Sequence, residues 1–381
     1  MLSFYEFFAG GGMARAGLGK KWECLFANDI DARKGASYAA NWGDKDLKIV
    51  NVGMLKTADL PGHADLAWAS FPCQDLSLAG AGAGLKGERS GTFWPFWHLM
   101  KELGEEDRGP AVVVLENVCG ALTSHDGKDF AAIGAALAGS GYRFGALVID
   151  AVNFVPQSRP RLFIVGVRSD LKIPQRLIAP EPGAHWHSSA LCSAYVKLSE
   201  KSKAAWVWWK LPAPPALKLT FADLIEDEPQ GVVWHMAAET RRLLDMMSPI
   251  NRKKVEEVKR AGRRMVGGIY KRTRKDENGE RVQRAEIRFD DLAGCLRTPG
   301  GGSSRQSIMI VEGDKVRSRL LAPREAARLM GLADSYKLPE NYNEAYHLAG
   351  DGLVVPVVRF LAVHLLEPLA AAQDIGARDV A

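Results

Sequence analysis

Leu2-Ser3-Phe4-Tyr5-Glu6-Phe7-Phe8-Ala9-Gly10-Gly11-Gly12 sets a short apolar run directly against three consecutive glycines. The run Leu2–Phe8 reads as a buried strand, since it is nearly continuous in apolar residues. The glycines let the backbone turn tightly and approach a ligand at the start of a following helix. Such a turn is often purely structural. It gains chemical meaning from Asn28-Asp29-Ile30-Asp31, which follows a second apolar run further along. A carboxylate about 20 residues beyond a glycine turn suits the hydroxyls of a ribose. A dinucleotide and S-adenosylmethionine both satisfy that pairing, so the cofactor class stays open at this point.

Working outward, Leu66–Ser70, Ala111–Leu115 and Leu162–Val167 read as further buried parallel strands, with helical patterns over Phe96–Leu103 and Phe130–Leu137. This alternation predicts a doubly wound α/β sheet, in which ligands bind beyond the carboxyl ends of the strands. After Arg168 the pattern stops. Pro174, Pro180, Pro182, Pro212, Pro214 and Pro215 interrupt regular structure, and no βα alternation is visible to about residue 320. The cluster Trp206, Trp208 and Trp209 reads as a small core for that inserted segment rather than a stacking platform. A helical pattern resumes at Arg324–Met330, followed by the apolar segment Leu353–Leu366. The expected plan is residues 1–168, an irregular insert over 169–320, and a return to the first domain over 321–381. No internal repeat or low-complexity tract is visible.

The chain has 381 residues, 47% of them hydrophobic and 25% charged, which fits a globular protein. No apolar run approaches the roughly 20 residues of a membrane helix. Glu6 inside the first apolar stretch argues against a secretory signal, so a cytoplasmic (bacterial cytoplasm or nucleoid) location and no membrane partner are expected. Cys24, Cys73, Cys119, Cys192 and Cys295 are odd in number and scattered, with no CxxC or zinc spacing. Neither a disulfide framework nor a metal site is expected. The net charge of +5 is small, but Asn251 to Arg288 holds 14 Lys/Arg against 6 Asp/Glu, so the basic surface is concentrated there.

Three further motifs carry chemistry. Ser70-Phe71-Pro72-Cys73-Gln74 places a cysteine just past a buried strand, at the ligand edge of the sheet. Most cysteines are packed core thiols, but Pro72 and Gln74 make a loop, where a thiol can act as a nucleophile. Leu115-Glu116-Asn117-Val118 puts a carboxylate at another strand's end, a position that is usually only a solvated terminus. Pro156-Gln157-Ser158-Arg159-Pro160-Arg161 puts two arginines at a strand start, able to grip a carbonyl oxygen, a phosphate or only solvent.

In this order and spacing, the four motifs resemble the cytosine-C5 DNA methyltransferase family over residues 4 to about 168 and again over 321–365. The middle insert lies outside the resemblance. The family implies a Rossmann-like S-adenosylmethionine-dependent methyltransferase domain with a smaller irregular target recognition domain. It implies that Cys73 adds to C6 of a flipped cytosine, Glu116 contacts N3 and the amino group, Arg161 contacts O2, and Arg159 supports the catalytic loop. Phe8, Ala9, Gly10, Gly12, Asp29, Ile30, Asn51, Val52 and Pro72 would hold S-adenosyl-L-methionine. Pro323–Gly331 resembles the family's ninth motif, and Gly350-Asp351-Gly352-Leu353-Val354 its tenth, adding Asp351, Gly352 and Leu353 to the cofactor set. The segment Gln74–Arg89 would close over the DNA, with Gln74, Ser77, Arg89 and Ser90 as contacts.

In the insert, Lys271, Arg272 and Arg274 would meet phosphates, and Arg297, Thr298, Gly300 and Gly301 would form a loop close to the DNA. The partner implied is double-stranded DNA with one target sequence. A monomer is expected, and a separately encoded cognate restriction endonuclease would fit. Asn51 stands where the family usually has an aspartate, Asp351 where it usually has asparagine, and Met13 where a further small or aromatic residue is common. Two rivals keep the same catalytic domain. A tRNA cytosine-5 methyltransferase usually carries a Cys-Phe-Thr element in its middle region, absent here, and an inactive DNA-binding regulator would not need Cys73, Glu116 and Arg161 together. A nicotinamide dehydrogenase leaves Phe71–Gln74 unexplained. Amino-methylating enzymes need an Asp/Asn/Ser-Pro-Pro-aromatic tetrapeptide, which does not occur.

Overall fold

A computed structural model of the chain describes residues 1–72, 92–275, 278–297 and 305–378, with side chains described through residue 372. The chain divides into two compact units. Met1–Asp150, Pro160–Pro215 and Val355–Ala381 form the first, and Ala151–Arg159 with Ala216–Val354 form the second.

The first unit is built on a seven-stranded sheet of order β3-β2-β1-β4-β5-β7-β6. Its strands are β1 (Leu2–Phe7), β2 (Trp22–Asp29), β3 (Leu47–Ile49), β4 (Leu66–Ala69), β5 (Val112–Val118), β6 (Tyr142–Asp150) and β7 (Pro160–Arg168). Helices α1 (Met13–Leu18), α2 (Ala32–Trp42), α3 (Phe93–Glu105) and α4 (Lys128–Gly139) connect them. Phe4, Tyr5, Phe7, Leu66, Trp68 and Val113 are fully buried, as central strands covered on both faces must be. The order reverses between β1 and β4, a topological switch point where ligands bind in open α/β sheets. Register aligns the ends there: Phe7 pairs with Ala69, and Ala69 with Leu115.

One expectation is corrected. Leu162–Val167 lies in β7, which runs antiparallel to both β5 and β6. Only residues 151–159 separate β6 from β7, and a parallel return needs a crossover of about a dozen residues or more.

The unit boundaries also differ from the expected 1–168, 169–320 and 321–381. The proline-rich stretch after Arg168 stays in the first unit through β8 (Ile178–Ala179), α5 (Ser189–Val196), α6 (Glu200–Ala204) and β9 (Trp208–Trp209). Phe144 N donates to Ala205 O at 2.8 Å and Val207 N to Phe144 O at 2.7 Å, so this stretch extends the β6 edge. The tryptophan cluster is therefore core, but of the first unit: Trp206 lies edge-on to Phe144 at 5.2 Å and to Phe130 at 6.1 Å. The C-terminal helices α11 (Val355–Leu361) and α12 (Glu367–Arg378) also belong here. A Cβ on Gly17 of α1 would lie 2.3 Å from Val358 Cβ, so glycine permits the close α1–α11 contact. By length and composition the helical run Tyr342–Ala372 could cross a membrane, contrary to the apolar-run reading, but 56% of its most apolar window is buried inside the protein.

The second unit is more regular than its sequence suggests. Helices α7 (Ala237–Asp245) and α8 (Pro249–Ala261) accompany an antiparallel sheet of order β11-β10-β12-β13. The strands are β10 (Met265–Lys275), β11 (Arg281–Arg288), β12 (Ser307–Glu312) and β13 (Lys315–Leu320), followed by α9 (Pro323–Leu329) and α10 (Tyr342–Asp351). Leu243, Met247, Val255, Ile269, Ile287 and Met309 close its core.

Candidate active site

In parallel strands the carboxyl ends face the ligand edge, whereas an antiparallel strand brings its beginning there. β7 therefore delivers Arg161 where β5 delivers Glu116, with Val118 paired to Arg161 and Glu116 to Phe163. Arg161 Nε lies 3.4 Å from Glu116 Oε1, and the two side chains are only 18% and 12% exposed. Had β7 been parallel, the arginine would sit at the opposite edge. Next to them, Asn117 is buried and its Nδ2 donates to Phe71 O at 3.2 Å, while its Oδ1 accepts from Val118 N at 2.8 Å. Phe71 packs against Phe93 at 5.5 Å. The entry to the Phe71-Pro72 segment is thus tied to the end of β5. Cys73, Gln74, Ser77, Arg89 and Ser90 lie outside the described residues.

At the neighbouring end of β1, Phe8, Gly10 and Gly12 take positive φ values of 57°, 55° and 75°. Ala9 N donates to Asn28 O at 2.9 Å, and Gly10 N to Asp29 Oδ2 at 2.8 Å. Asp29 Oδ1 accepts from Asp31 N at 2.8 Å, which fixes the carboxylate at the end of β2. Ile30 is 67% exposed just beyond it. Among the described residues a Cβ on Gly10 would meet nothing within 4 Å, so open space adjoins the turn. Gly12 serves packing: a Cβ there would lie 2.4 Å from Trp42 Nε1, and its own amide donates to Ala9 O. Val52 is buried, and Asn51 Oδ1 caps the short turn after it by accepting from Gly53 N at 2.9 Å. An open hollow of about 370 Å³ begins at Val52 and is walled by Gly53, Leu55, Trp94, Pro95 and His98.

In the second unit, Arg159 is buried and its guanidinium is spread over carbonyls. Nη1 donates to Leu296 O at 3.1 Å, and Nη2 to Gly350 O and Gly352 O at 2.9 and 2.8 Å. It holds the turn containing Asp351 and Gly352, where Asp351 is exposed and Leu353 buried. Lys271, Arg272 and Arg274 are exposed on β10, and Arg297 is exposed in a loop. Thr298, Gly300 and Gly301 lie outside the described residues. Among the described residues, Cys24, Cys119, Cys192 and Cys295 form no disulfide.

A family model described as C-5 cytosine-specific DNA methylase matches residues 2–367. The chain belongs to that family. It is a DNA cytosine-5 methyltransferase. Type II methyltransferase M.HhaI of Haemophilus parahaemolyticus is 26% identical over 367 residues, covering 96% of this chain and 94% of that one. Type II methyltransferase M.NlaX of Neisseria lactamica is also 26% identical, over 379 residues, covering 98% and 99%. The crystal structure of S. pombe Dnmt2 methyltransferase shares the fold, with a TM-score of 0.59 and 17% identity over 97% of this chain and 99% of that chain.

Three residues of this methyltransferase escaped the sequence reading. Gln157 is fully buried; its Nε2 donates to Leu329 O at 2.8 Å and its Oε1 accepts from Leu296 N at 3.2 Å. Its place inside the two-arginine motif was the available signal. Asn117 sat beside Glu116 in the same way. Glu6 gave no signal at all, since a glutamate in a strand normally faces water. Here it is buried beneath α1, whose Gly12 cap has no side chain, and its Oε1 accepts from Arg15 N at 3.3 Å.

Among the described residues Glu6 Oε2 has no hydrogen-bond partner, and burial pushes the carboxyl pKa up to about 8 against the pull of the Arg15 amide. The folded protein therefore holds this proton while the unfolded chain releases it near pH 4.5. Stability is fully present below that value, falls as pH rises to about 8, and levels off above. Glu6→Gln, which mimics the protonated form, is expected to match the parent near pH 4. By pH 9 it should be more stable by on the order of 4 kcal/mol. Denaturant melts at both pH values check this, and parallel stability curves for the two proteins would refute it.

Proposed function

We propose that the chain transfers a methyl group from S-adenosyl-L-methionine to C5 of a cytosine flipped out of a specific double-stranded DNA sequence. The first unit would carry catalysis and cofactor binding, and the second target recognition. What supports this reading most is the meeting of Glu116 and Arg161 at 3.4 Å, at the sheet edge from which the Phe71-Pro72-Cys73 segment starts.

The residues at the end of β1 suit the cofactor. The open space at Gly10, the anchored Asp29 carboxylate, exposed Ile30 and the hollow beside Val52 match a methionine portion, a ribose and an adenine in turn. When bound, S-adenosylmethionine supplies an electrophilic methyl group. C5 of cytosine is a weak nucleophile, and the work of this chain is to activate it. The Cys73 thiolate adds to C6, which leaves C5 enamine-like; after methylation, loss of the C5 proton releases the thiolate. Glu116 hydrogen-bonds N3 and the amino group, and Arg161 the O2, so that negative charge developing on the ring is offset. Arg159 is a positioning residue, through the carbonyls it gathers. A stacked base is out of reach of such groups, so the cytosine must leave the helix.

Lys271, Arg272, Arg274 and Arg297 would contact DNA, and affinity should fall with salt. The enzyme would act in the bacterial cytoplasm or nucleoid as a monomer, either alongside a separate restriction endonuclease or as an orphan methylase. Sequencing of 5-methylcytosine in DNA from cells expressing the chain tests the reading: methylation confined to one short motif is expected. Unmethylated DNA beside newly methylated tRNA would overturn it in favour of tRNA as substrate.

A further inference from the structure

The outer half of β10 and β11 continues past the core as a two-stranded ribbon. Ile269, Ala285 and Ile287 are buried at its base, whereas Lys271 to Lys275 are all exposed. Antiparallel register pairs Tyr270 with Glu286, Arg272 with Arg284 and Arg274 with Val282, so these six residues share one face. A ribbon of this kind fits the major groove of B-DNA, which is about 12 Å wide.

A carboxylate on a surface meant for a polyanion lowers affinity unless it organises something. Glu286 organises two guanidiniums. Arg272 Nε lies 3.2 Å from its Oε2, and Arg274 Nε donates to its Oε1 at 2.8 Å. Arg274 Nη2 is also on Oε1, at 2.5 Å, and Arg272 is further held over the Tyr270 ring at 5.9 Å. Each guanidinium has five N–H donors, and the carboxylate uses only some of them. A free surface arginine samples many rotamers and settles on the nearest phosphate. One pinned by a carboxylate and a ring keeps a fixed fork, the geometry that pairs bidentately with guanine O6 and N7.

We propose that Glu286 is a specificity-determining positioning residue: it holds Arg272 and Arg274 as a preformed pair that reads guanine edges in the major groove of the target DNA. This rests on the reading of the chain as an enzyme acting on one double-stranded sequence. It differs from a role for those arginines as phosphate contacts alone.

The test compares the parent with Glu286→Gln, Arg272→Ala and the combined variant. Fluorescence anisotropy would measure binding to the methylated-motif duplex and to duplexes with one guanine changed, over a range of salt. Glu286→Gln removes a negative charge, so binding to unrelated DNA should tighten severalfold. Its log–log salt slope should steepen by about 1 as a released arginine finds a phosphate. The ratio of cognate to altered-duplex affinity should fall about tenfold or more. In the combined variant that ratio should fall by less than the two single losses added together, because Arg272 acts through the same fork that Glu286 holds. A ratio that stays at the parent value in Glu286→Gln overturns the proposal, because a carboxylate that merely repels DNA weakens all duplexes alike. Strictly additive losses overturn it as well. Parent protein without any site preference would count against the proposed function itself, and this proposal would fall with it.

Discussion

Replacing Cys73 by serine is expected to cut methyl transfer by on the order of 10⁴-fold or more, because the reaction then lacks the group that activates C5. A hydroxyl is similar in size to a thiol but is far less ionised near neutral pH and a poorer nucleophile toward C6. Binding should survive, since the glycine turn is fixed by its own contact, Gly10 N donating to Asp29 Oδ2 at 2.8 Å. Labelled methyl transfer, measured beside DNA binding, separates the two effects. The same assay on Cys119→Ser provides a control. Cys119 follows Glu116 closely, but burial pushes its thiol pKa up, which leaves it a poor nucleophile. Transfer retained in Cys73→Ser and lost in Cys119→Ser would move the chemistry to the second thiol and dismantle the assignment.

The glycine turn, Asp29 and the end of β5 carrying Glu116 were legible because each lies in a local pattern that also sets its structure. The direction of β7 was not. An apolar run has the same composition whichever way it runs, and only the short 151–159 connection reveals the hairpin. That missed detail decides the site, since it brings Arg161 to Glu116. The second unit's sheet was hidden for another reason. Half of β10 lies beyond the core, so its Lys and Arg residues mask the strand periodicity that Ile269 begins. Glu6 and Gln157 were illegible because a buried polar side chain is defined by partners distant in sequence, and no window around it contains them.

Glu325→Ala is expected to destabilise the second unit by about 3–5 kcal/mol, the usual consequence of stranding one half of a buried ion pair. Glu325 and Arg319 are both fully buried, joined through Nη1–Oε2 at 2.7 Å and Nη2–Oε1 at 2.6 Å. The carboxylate also accepts from Ala322 N and Glu226 N, both at 2.8 Å, so it caps α9 and fastens the chain near residue 226. Alanine removes all four contacts and leaves the guanidinium without its counter-charge. Replacing both partners with apolar residues (Arg319→Met with Glu325→Leu) strands no charge and should recover a good part of the loss. Recovery should be incomplete, because the amides of Ala322 and Glu226 still lack their acceptor and the carbonyls of Leu320 and Glu226 lose the Arg319 donors. Denaturant midpoints of the single and double variants distinguish the contributions. If the double variant melted no later than Glu325→Ala, the cost would lie in the lost cap, and the buried charge would not be what Glu325 is there to balance.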